Sequence, residues 1–435
     1  MDITIEKLIY GGEGLAHHEG STVFVPFVLP AERVAVEAIE QKRKFVRGRV
    51  EGILQAAPER VEARCPHFGI CGGCDYQHIP YEAQLKFKAE ILRETLRRIG
   101  KIDWEGEITA HGSPPWAYRN RAQWKVRPLE NSVEEPTPET GADGGTKLGI
   151  GYFRANSTAL CAVEDCSIIS PLLLKTLLSL RTALAAGVLP RGLREMEAFV
   201  DAADAKLLLT ATFAGFPSRA AEHAETFRRI VPEIASLLLH DPSRDRMELY
   251  GPGYLEYAAG EMSYRVGHFS FFQVNRFLVE ELAREVVARE EGGRLAIDLF
   301  AGVGLFSIPL AKRFARVLAV ESNPAAARDL ETNMRGHGSI EVRSVEVEQF
   351  LKRNKERPEL LVLDPPRAGM TPESVERLGK LRPERITYVS CEPPTLARDL
   401  VLFAKAGYDC TEVHLFDLFP QTFHMETAVR LRKRG

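Results

Sequence analysis

The sequence predicts an α/β protein with three parts: a small OB-like β-barrel over residues 1–60, a strand-rich α+β central domain over residues 61–270, and a Rossmann-like domain over residues 271–435. Residues 1–60 contain short strand-like runs separated by glycines. The middle of the chain mixes strand and helix patterns. From Val274 onward, helices alternate with buried apolar strands and glycine turns, which is the pattern of a doubly wound parallel sheet.

Composition describes a globular chain without an overall basic field. It has 435 residues, of which 45% are hydrophobic and 27% are charged, enough for roughly two to three domains. Its 57 Lys and Arg residues are offset by 60 Asp and Glu residues, so any contact with RNA has to be local. No run stays apolar for the roughly 20 residues of a membrane span. We therefore expect a cytoplasmic monomer with no membrane partner.

The N-terminal part combines strands with a cluster of basic residues. Several short strands in this length favour a small barrel. Basic side chains gather near one predicted hairpin, at Lys42, Arg43, Lys44, Arg47 and Arg49. They can follow a phosphate backbone, or they can simply keep an exposed hairpin soluble. The sequence leaves both interpretations open.

Cysteines are clustered in the central part. The chain has seven of them, and an odd, clustered set favours metal binding or catalysis over a disulfide framework. Cys65, Cys71 and Cys74 are interspersed with glycines that permit tight wrapping, and Cys161 or Cys166 can supply a fourth thiolate from a distant segment. This spacing predicts a metal site. Four thiolates also bind zinc well, so zinc is an alternative to an iron–sulfur cluster.

Two further patterns precede the C-terminal domain. Residues 81–99 carry apolar residues at helical spacing and predict a helix. Residues 118–127 interleave basic residues with Tyr118 and Trp124. This second pattern favours a strand that faces RNA, with an ordinary structural strand as the alternative.

The segment Asp-Leu-Phe-Ala-Gly-Val-Gly, residues 298–304, follows a predicted strand and opens a helix. Its glycines let backbone amides approach a ligand at a helix N-terminus. The segment departs from the dinucleotide form GxGxxG. The next predicted strand covers residues 317–320 and is followed by Glu321. This residue is suitably placed to accept hydrogen bonds from ribose hydroxyls. The sequence therefore predicts a nucleotide-cofactor site that includes Gly302 and Glu321.

Three polar residues follow the later strands. Cys391 comes directly after the strand over residues 385–390, at the edge of the sheet where such folds bind ligands. Asp364 ends another strand, and Glu426 lies in a polar and aromatic run. A cysteine with a carboxylate suits the addition of a methyl group to a pyrimidine carbon. Carbon 5 of uracil, for example, is a poor nucleophile until a thiolate adds at carbon 6, and a base must then remove the hydrogen on carbon 5. A cysteine and a carboxylate are the minimum set for that chemistry.

At these residues the chain resembles the RNA uracil-5 methyltransferase family. The family segments Ser-Cys-Asn-Pro, Asp-Pro-Pro/Ala-Arg and Phe-Pro-x-Thr-x-His-x-Glu are similar to residues 390–393, 364–367 and 419–426. The resemblance implies that Cys391 is the nucleophile and that Glu426 takes the carbon-5 proton. Glu392 stands where the family usually has Asn, and its extra negative charge disfavours the thiolate if both groups are buried.

The resemblance extends to the cofactor, S-adenosylmethionine. The family's Phe-x-Gln-x-Asn stretch is similar to residues 271–275, which implies that Gln273 contacts the cofactor. Phe300, Glu321 and Asp364 match cofactor or substrate positions of the family.

The cysteine motif resembles the family's [4Fe–4S] site, which implies Cys65, Cys71, Cys74 and Cys166 as ligands. Cys166 fits better than Cys161 because it precedes a short apolar stretch. We expect a structural role for the cluster, since methyl transfer from a sulfonium needs no electron.

The resemblance also indicates the substrate. Residues 1–60 resemble the TRAM domain, an RNA-binding module. Members that act on 23S rRNA commonly have both this barrel and the cluster, whereas those that act on tRNA often lack them, so 23S rRNA is favoured over tRNA. The target uridine has to be unpaired or flipped out, and Phe271 is the candidate platform for stacking. A noncatalytic RNA-binding or ribosome-assembly protein is the alternative from another class, to which Glu392 lends support.

Overall fold

The structure is a computed structural model that describes residues 1–129, 147–288 and 292–435. The chain forms two compact units. The first consists of Met1–Ala63, Asp75–Pro115 and Phe277–Gly435, and the second of Arg64–Cys74 and Trp116–Arg276. No helix in the described ranges is both long enough and apolar enough to cross a membrane.

The chain begins with six strands of the first unit. These are β1 (Asp2–Thr4), β2 (Lys7–Leu8), β3 (Glu13–His18), β4 (Ser21–Pro26), β5 (Arg33–Gln41) and β6 (Phe45–Gln55). They form one sheet in the order β1-β5-β6-β4-β3-β2, in which only the β4–β6 pair is parallel. Alternate residues such as Val23, Val25 and Val34 point to one side and share a small apolar core.

The basic hairpin that the sequence predicts lies between β5 and β6. Arg47 forms an ion pair with Glu13, and Arg49 forms one with Glu37. Part of the positive charge is therefore balanced by carboxylates of the same sheet, which lowers the field available to a phosphate backbone. The predicted helix and one short strand follow later in this unit, as α1 (Tyr81–Arg98) and β7 (Ile108–His111).

The second unit is built around a seven-stranded sheet. Its strands and helices are β8 (Arg121–Pro128), β9 (Leu148–Phe153), β10 (Leu160–Ala162), α2 (Pro171–Ala185), β11 (Leu193–Val200), β12 (Leu207–Phe213), α3 (Ala220–Ile230), β13 (Ile234–Asp241), β14 (Arg246–Tyr250), β15 (Tyr254–Ala259) and β16 (Met262–Gly267). The large sheet has the order β10-β9-β8-β11-β12-β13-β14, and β15 pairs with β16.

The predicted RNA-facing strand is β8, and its aromatic residues lie in the core. Tyr118, just before the strand, and Trp124 within it are fully buried. Because side chains alternate along a strand, Arg121 and Lys125 point to the other face, where they pair with Glu197 and Glu195. The interleaved pattern thus reflects a half-buried strand rather than an aromatic surface for RNA bases.

The C-terminal part of the first unit is a doubly wound sheet with helices. Its elements are α4 (Val279–Ala288), β17 (Gly293–Leu299), α5 (Ser307–Ala311), β18 (Phe314–Val320), α6 (Pro324–Asn333), β19 (Ile340–Arg343), α7 (Val347–Arg353), β20 (Leu360–Leu363), α8 (Pro372–Leu381), β21 (Arg385–Ser390), α9 (Pro393–Lys405), β22 (Tyr408–Phe416) and β23 (Glu426–Lys433). The sheet order is β19-β18-β17-β20-β21-β23-β22-β7, and β23 runs antiparallel to both its neighbours. Strand order reverses between β17 and β20, the point at which such sheets bind ligands.

Residues 75–115 belong to this unit and not to the central domain in which the sequence prediction placed them. Strand β7 pairs in parallel with β22, where Ile108 lies beside Val413. Helix α1 carries Lys88, which forms a fully buried ion pair with Asp417. Local sequence patterns identify the helix, but tertiary pairing alone decides which sheet a short edge strand joins.

Candidate active site

Cys391 and Glu426 are brought together by the register of two antiparallel strands. The last pair between β21 and β23 joins Ser390 to Thr427, and the Thr427 hydroxyl donates a hydrogen bond to the Ser390 carbonyl at 2.9 Å. The next residue of each strand in this direction is Cys391 on one and Glu426 on the other. The two predicted catalytic side chains therefore belong to facing positions at one edge of the sheet.

Asp364 occupies the same edge on the neighbouring parallel strand. It follows β20, and its backbone amide donates to the Leu299 carbonyl at the end of β17, at 3.4 Å. Asp298 lies one residue earlier on β17 and is fully buried. The carboxyl ends of β17, β20 and β21 and the start of β23 thus bring a thiol and three carboxyl groups to one edge.

The pKa values of these three carboxyl groups are all raised. Removal from water raises the pKa of Asp298 to about 7, and the Ser307 hydroxyl, which donates to it at 2.5 Å, only partly offsets the shift. Removal from water and the charge of Asp298 raise the pKa of Asp364 to about 7. Burial, and then the charge of Asp364, hold the pKa of Glu426 well above its ordinary value.

Burial and the neighbouring carboxyl groups also shift the pKa of the Cys391 thiol. Burial raises its pKa to about 11, and Glu426 and Asp364 add to the shift. Arg367 counters it, because its guanidinium lies close enough to hydrogen-bond to the sulfur. Arg367 is the arginine of the Asp-Pro-Pro-Arg segment, and it had no predicted role of its own.

The glycine turn after β17 lies beside Glu321. The Gly302 amide donates to one carboxylate oxygen of Glu321 at 2.8 Å, and the Asn323 amide donates to the other at 2.7 Å. Phe300 and Gly304 have positive φ angles of 63° and 98°. The φ of Gly304 strains any other residue, and a Cβ there would lie 2.6 Å from the terminal methyl of Met334, so glycine is favoured at this position. The structure thus places Gly302 in contact with Glu321, with Phe300 two residues before Gly302. Their role toward a cofactor stays a prediction.

Two buried carboxyl oxygens at this edge have no hydrogen-bond partner among the residues that the structure describes. They are Oδ1 of Asp298 and Oε1 of Glu426. Leaving a buried polar atom unpaired costs free energy, so both oxygens would gain from a ligand that brings a hydrogen-bond donor or a positive charge. Asp298 had no predicted role beyond its place at the start of the glycine segment. The available signal was an acidic residue inside an otherwise apolar strand.

Gln273 and Phe271 belong to the second compact unit. Gln273 is 5% exposed, and its backbone carbonyl accepts a hydrogen bond from the Asn120 side chain at 3.0 Å. Phe271 is 62% exposed, as a stacking platform requires. Their roles toward cofactor and RNA stay predictions.

No disulfide joins the cysteines of the second unit in the part of the chain that the structure describes. Cys65, Cys71, Cys161 and Cys166 interact electrostatically with one another; burial first, and then its neighbours, raise the pKa of Cys71 to about 12. Cys74 packs against the core of the same unit. Over the described ranges, no three His, Cys, Asp or Glu side chains are arranged to hold a metal ion.

The surroundings of Cys166 fit a cluster thiolate. Backbone amides of Ile168 and Ile169 and the Tyr152 hydroxyl hydrogen-bond to its sulfur and lower its pKa against the larger effect of burial. Donors of this kind stabilise thiolates that bind metal clusters. These contacts suit a thiolate ligand at Cys166. The [4Fe–4S] cluster and its four ligands stay predictions.

The protein has a doubly wound sheet, a glycine turn after β17, and a thiol beside carboxyl groups at one edge of the sheet. Together these features are typical of a Rossmann-like transferase. The family model described as tRNA (Uracil-5-)-methyltransferase matches residues 250–434, and the TRAM domain model matches residues 1–50. An uncharacterized RNA methyltransferase of Aquifex aeolicus is 33% identical over 99% of this chain and 98% of its own length. The 23S rRNA (uracil(1939)-C(5))-methyltransferase RlmD of Klebsiella pneumoniae is 31% identical over 100% of this chain and 96% of its own.

The chain belongs to the RNA (uracil-5-)-methyltransferase family. The crystal structure of the Pyrococcus abyssi tRNA (uracil-54, C5)-methyltransferase in complex with S-adenosyl-L-homocysteine has the same fold, with a TM-score of 0.74 and 24% identity over 99% of this chain and all of that one. The predicted family, enzyme class and fold class, including the TRAM domain, are confirmed.

Proposed function

We propose that the protein transfers a methyl group from S-adenosylmethionine to carbon 5 of a uridine in 23S rRNA. The observation that carries the proposal is the strand register that makes Cys391 and Glu426 neighbours, with Asp364 on the adjacent strand. The substrate is favoured by the relatives that are named 23S rRNA (uracil(1939)-C(5))-methyltransferases.

Each side chain has a defined part in the reaction. The Cys391 sulfur forms a bond to carbon 6, and the ring electrons move to carbon 5 and the carbon-4 oxygen. Carbon 5 then bonds to the methyl carbon, whose bond to the sulfonium breaks and leaves a neutral thioether. The Glu426 carboxylate removes the carbon-5 proton, the ring double bond re-forms, and the bond from carbon 6 to sulfur breaks to release the thiolate.

The acidic edge suits a cationic methyl donor. Asp298, Asp364 and Glu426 have raised pKa values because they share a site with little water. A positive charge within a few ångströms favours the ionised form of each, so binding of the sulfonium prepares Glu426 to act as a base. Glu321, Phe300 and Gly302 are proposed to hold the rest of the cofactor, with Glu321 accepting hydrogen bonds from the ribose hydroxyls. A contact of Gln273 with the cofactor is proposed on the family resemblance alone.

A [4Fe–4S] cluster bound by Cys65, Cys71, Cys74 and Cys166 is part of the proposal. When bound, the cluster would link Cys65–Cys74 to Cys166 and stabilise the second unit. Burial holds the pKa values of Cys65, Cys71 and Cys166 above their ordinary range, and the positive metal ions of a bound cluster would offset that effect.

Trapping on fluorinated RNA tests the reaction. With 5-fluorouridine in place of uridine and S-adenosylmethionine present, no carbon-5 proton can leave, so the wild-type protein should form a stable covalent complex with 23S rRNA. Cys391→Ala should form none, whereas Cys410→Ala, which changes a thiol within β22, should trap as the wild type does. A complex with Cys391→Ala would reject the nucleophile.

The same experiment separates the alternatives. Complex formation with tRNA but not with 23S rRNA would reject the proposed substrate. No complex with either RNA, in the presence of the methyl donor, would favour a noncatalytic RNA-binding protein.

A further inference from the structure

A tyrosine of the N-terminal barrel contacts the residue that follows the nucleophile. The Tyr10 hydroxyl donates a hydrogen bond to Oε2 of Glu392 at 3.0 Å, across 382 positions of sequence. Tyr10 lies in the turn between β2 and β3, and Glu392 directly precedes α9. Both side chains are half-buried, so the hydrogen bond is shielded from much of the competing water.

The turn that carries Tyr10 is packed tightly against the segment that leads to Glu426. The Tyr10 ring meets the Phe423 ring edge-on, with centroids 5.4 Å apart and planes at 89°. Gly12 has a φ of +85°, and a Cβ there would lie 3.2 Å from Asp75 and 3.3 Å from Phe423. Only glycine combines that backbone angle with so close an approach. The direction of the Tyr10 hydroxyl is therefore set by packing.

The charges around Cys391 make the position of Glu392 important. The charges of Glu426, Asp364 and Arg367 shift the pKa of the Cys391 thiol. Tyr10 lies close enough to interact electrostatically with both Cys391 and Glu392. Arg367 is the cation among these groups. A further carboxylate that could turn toward the sulfur would oppose thiolate formation. Glu392 stands where the family usually has Asn, so this chain carries a charge that the usual residue does not.

We propose that Tyr10 is a positioning residue for the nucleophile: it binds the Glu392 carboxylate from the barrel side and thereby keeps that negative charge away from the Cys391 sulfur. The barrel then contributes to the catalytic edge directly, in addition to any contact with RNA. The inference rests on the proposed role of Cys391.

The reactivity of Cys391 toward iodoacetamide tests this without RNA or turnover. Only the thiolate reacts, so the pH dependence of alkylation at Cys391, followed by mass spectrometry of its peptide, reports thiolate formation. Tyr10→Phe should move the midpoint to higher pH, with alkylation near neutral pH slowed about threefold to tenfold, which corresponds to roughly half a pH unit to one unit. Tyr254→Phe, in the second unit, should leave the midpoint unchanged.

The double variant decides whether Tyr10 acts through Glu392. Because Tyr10 already holds the carboxylate away from the sulfur, Glu392→Gln should leave the midpoint close to that of the wild type, and in that background Tyr10→Phe should add nothing. An unchanged midpoint in Tyr10→Phe would overturn the proposal, and so would an equal shift with and without Glu392. Because alkylation needs no catalysis, a failure here is distinct from a failure of RNA trapping, which would reject the nucleophile itself.

Discussion

Lys88 Nζ lies 2.6 Å from Asp417 Oδ1, and neither side chain is exposed to solvent. The same ammonium donates to the carbonyls of Phe419 at 3.1 Å and His424 at 2.8 Å. Helix α1 therefore anchors the segment between β22 and β23. This segment leads directly to Glu426, the first residue of β23. This contact explains why a helix distant in sequence from the catalytic residues belongs to their compact unit.

Lys88→Met should strongly destabilise the protein. Removal of the ammonium leaves the Asp417 carboxylate buried without its counter-charge, which typically costs about 3–5 kcal/mol of unfolding free energy. Lys86→Met, on the exposed face of the same helix, should change it by less than about 0.5 kcal/mol. Urea denaturation measures both. Equal midpoints for the two variants would contradict a structural role for the buried pair.

Asp298→Asn should change the dependence of stability on pH. In the folded protein the pKa of Asp298 is about 7, against an ordinary value of 3.8, so the folded state binds the proton more tightly than the unfolded chain. Its contribution to stability is complete below about pH 4 and is lost as the pH rises through 7. Asn stays neutral at every pH, so the variant should not lose this part of its stability as the pH rises.

The difference between the two proteins is the quantity to measure. Relative to wild type, Asp298→Asn should gain stability from pH 5 to pH 8 on the order of 1.4 kcal/mol for each unit of pKa difference that is titrated. Parallel stability curves for the two proteins would show that Asp298 is not protonated in the fold. The variant should also bind S-adenosylmethionine more weakly, because it loses a charge that attracts the sulfonium.

Sequence patterns identified single elements well and their partners poorly. The predicted strand over residues 385–390 has the bounds of β21, and the predicted strand before Asp364 is β20. The proximity of Cys391 to Glu426 follows from an antiparallel register that no local pattern encodes. In the same way, nothing near Tyr10 indicates its contact with Glu392, since that contact depends on how the barrel packs within its unit.

Glu426→Gln should stop the reaction after methyl transfer. Gln cannot accept the carbon-5 proton, so the methylated RNA should stay bonded to Cys391, and the turnover number should fall by roughly 10²–10⁴. Labelled methyl groups in a covalent protein–RNA complex on a denaturing gel would report the stalled intermediate. Glu384→Gln changes an exposed glutamate just before β21 and should turn over normally. Normal turnover by Glu426→Gln would assign the base to another group.

Exchange of single cysteines should test the proposed cluster and identify its fourth ligand. Cys166 receives hydrogen bonds from two backbone amides and a tyrosine, whereas Cys161 interacts with Cys71 and lies near Arg154. Cys166→Ser should therefore lose iron and inorganic sulfide from the anaerobically purified protein, together with the broad visible absorbance of a [4Fe–4S] cluster, while Cys161→Ser should keep them. The opposite result would exchange the two assignments, and zinc without sulfide in the wild type would replace the cluster by a metal ion.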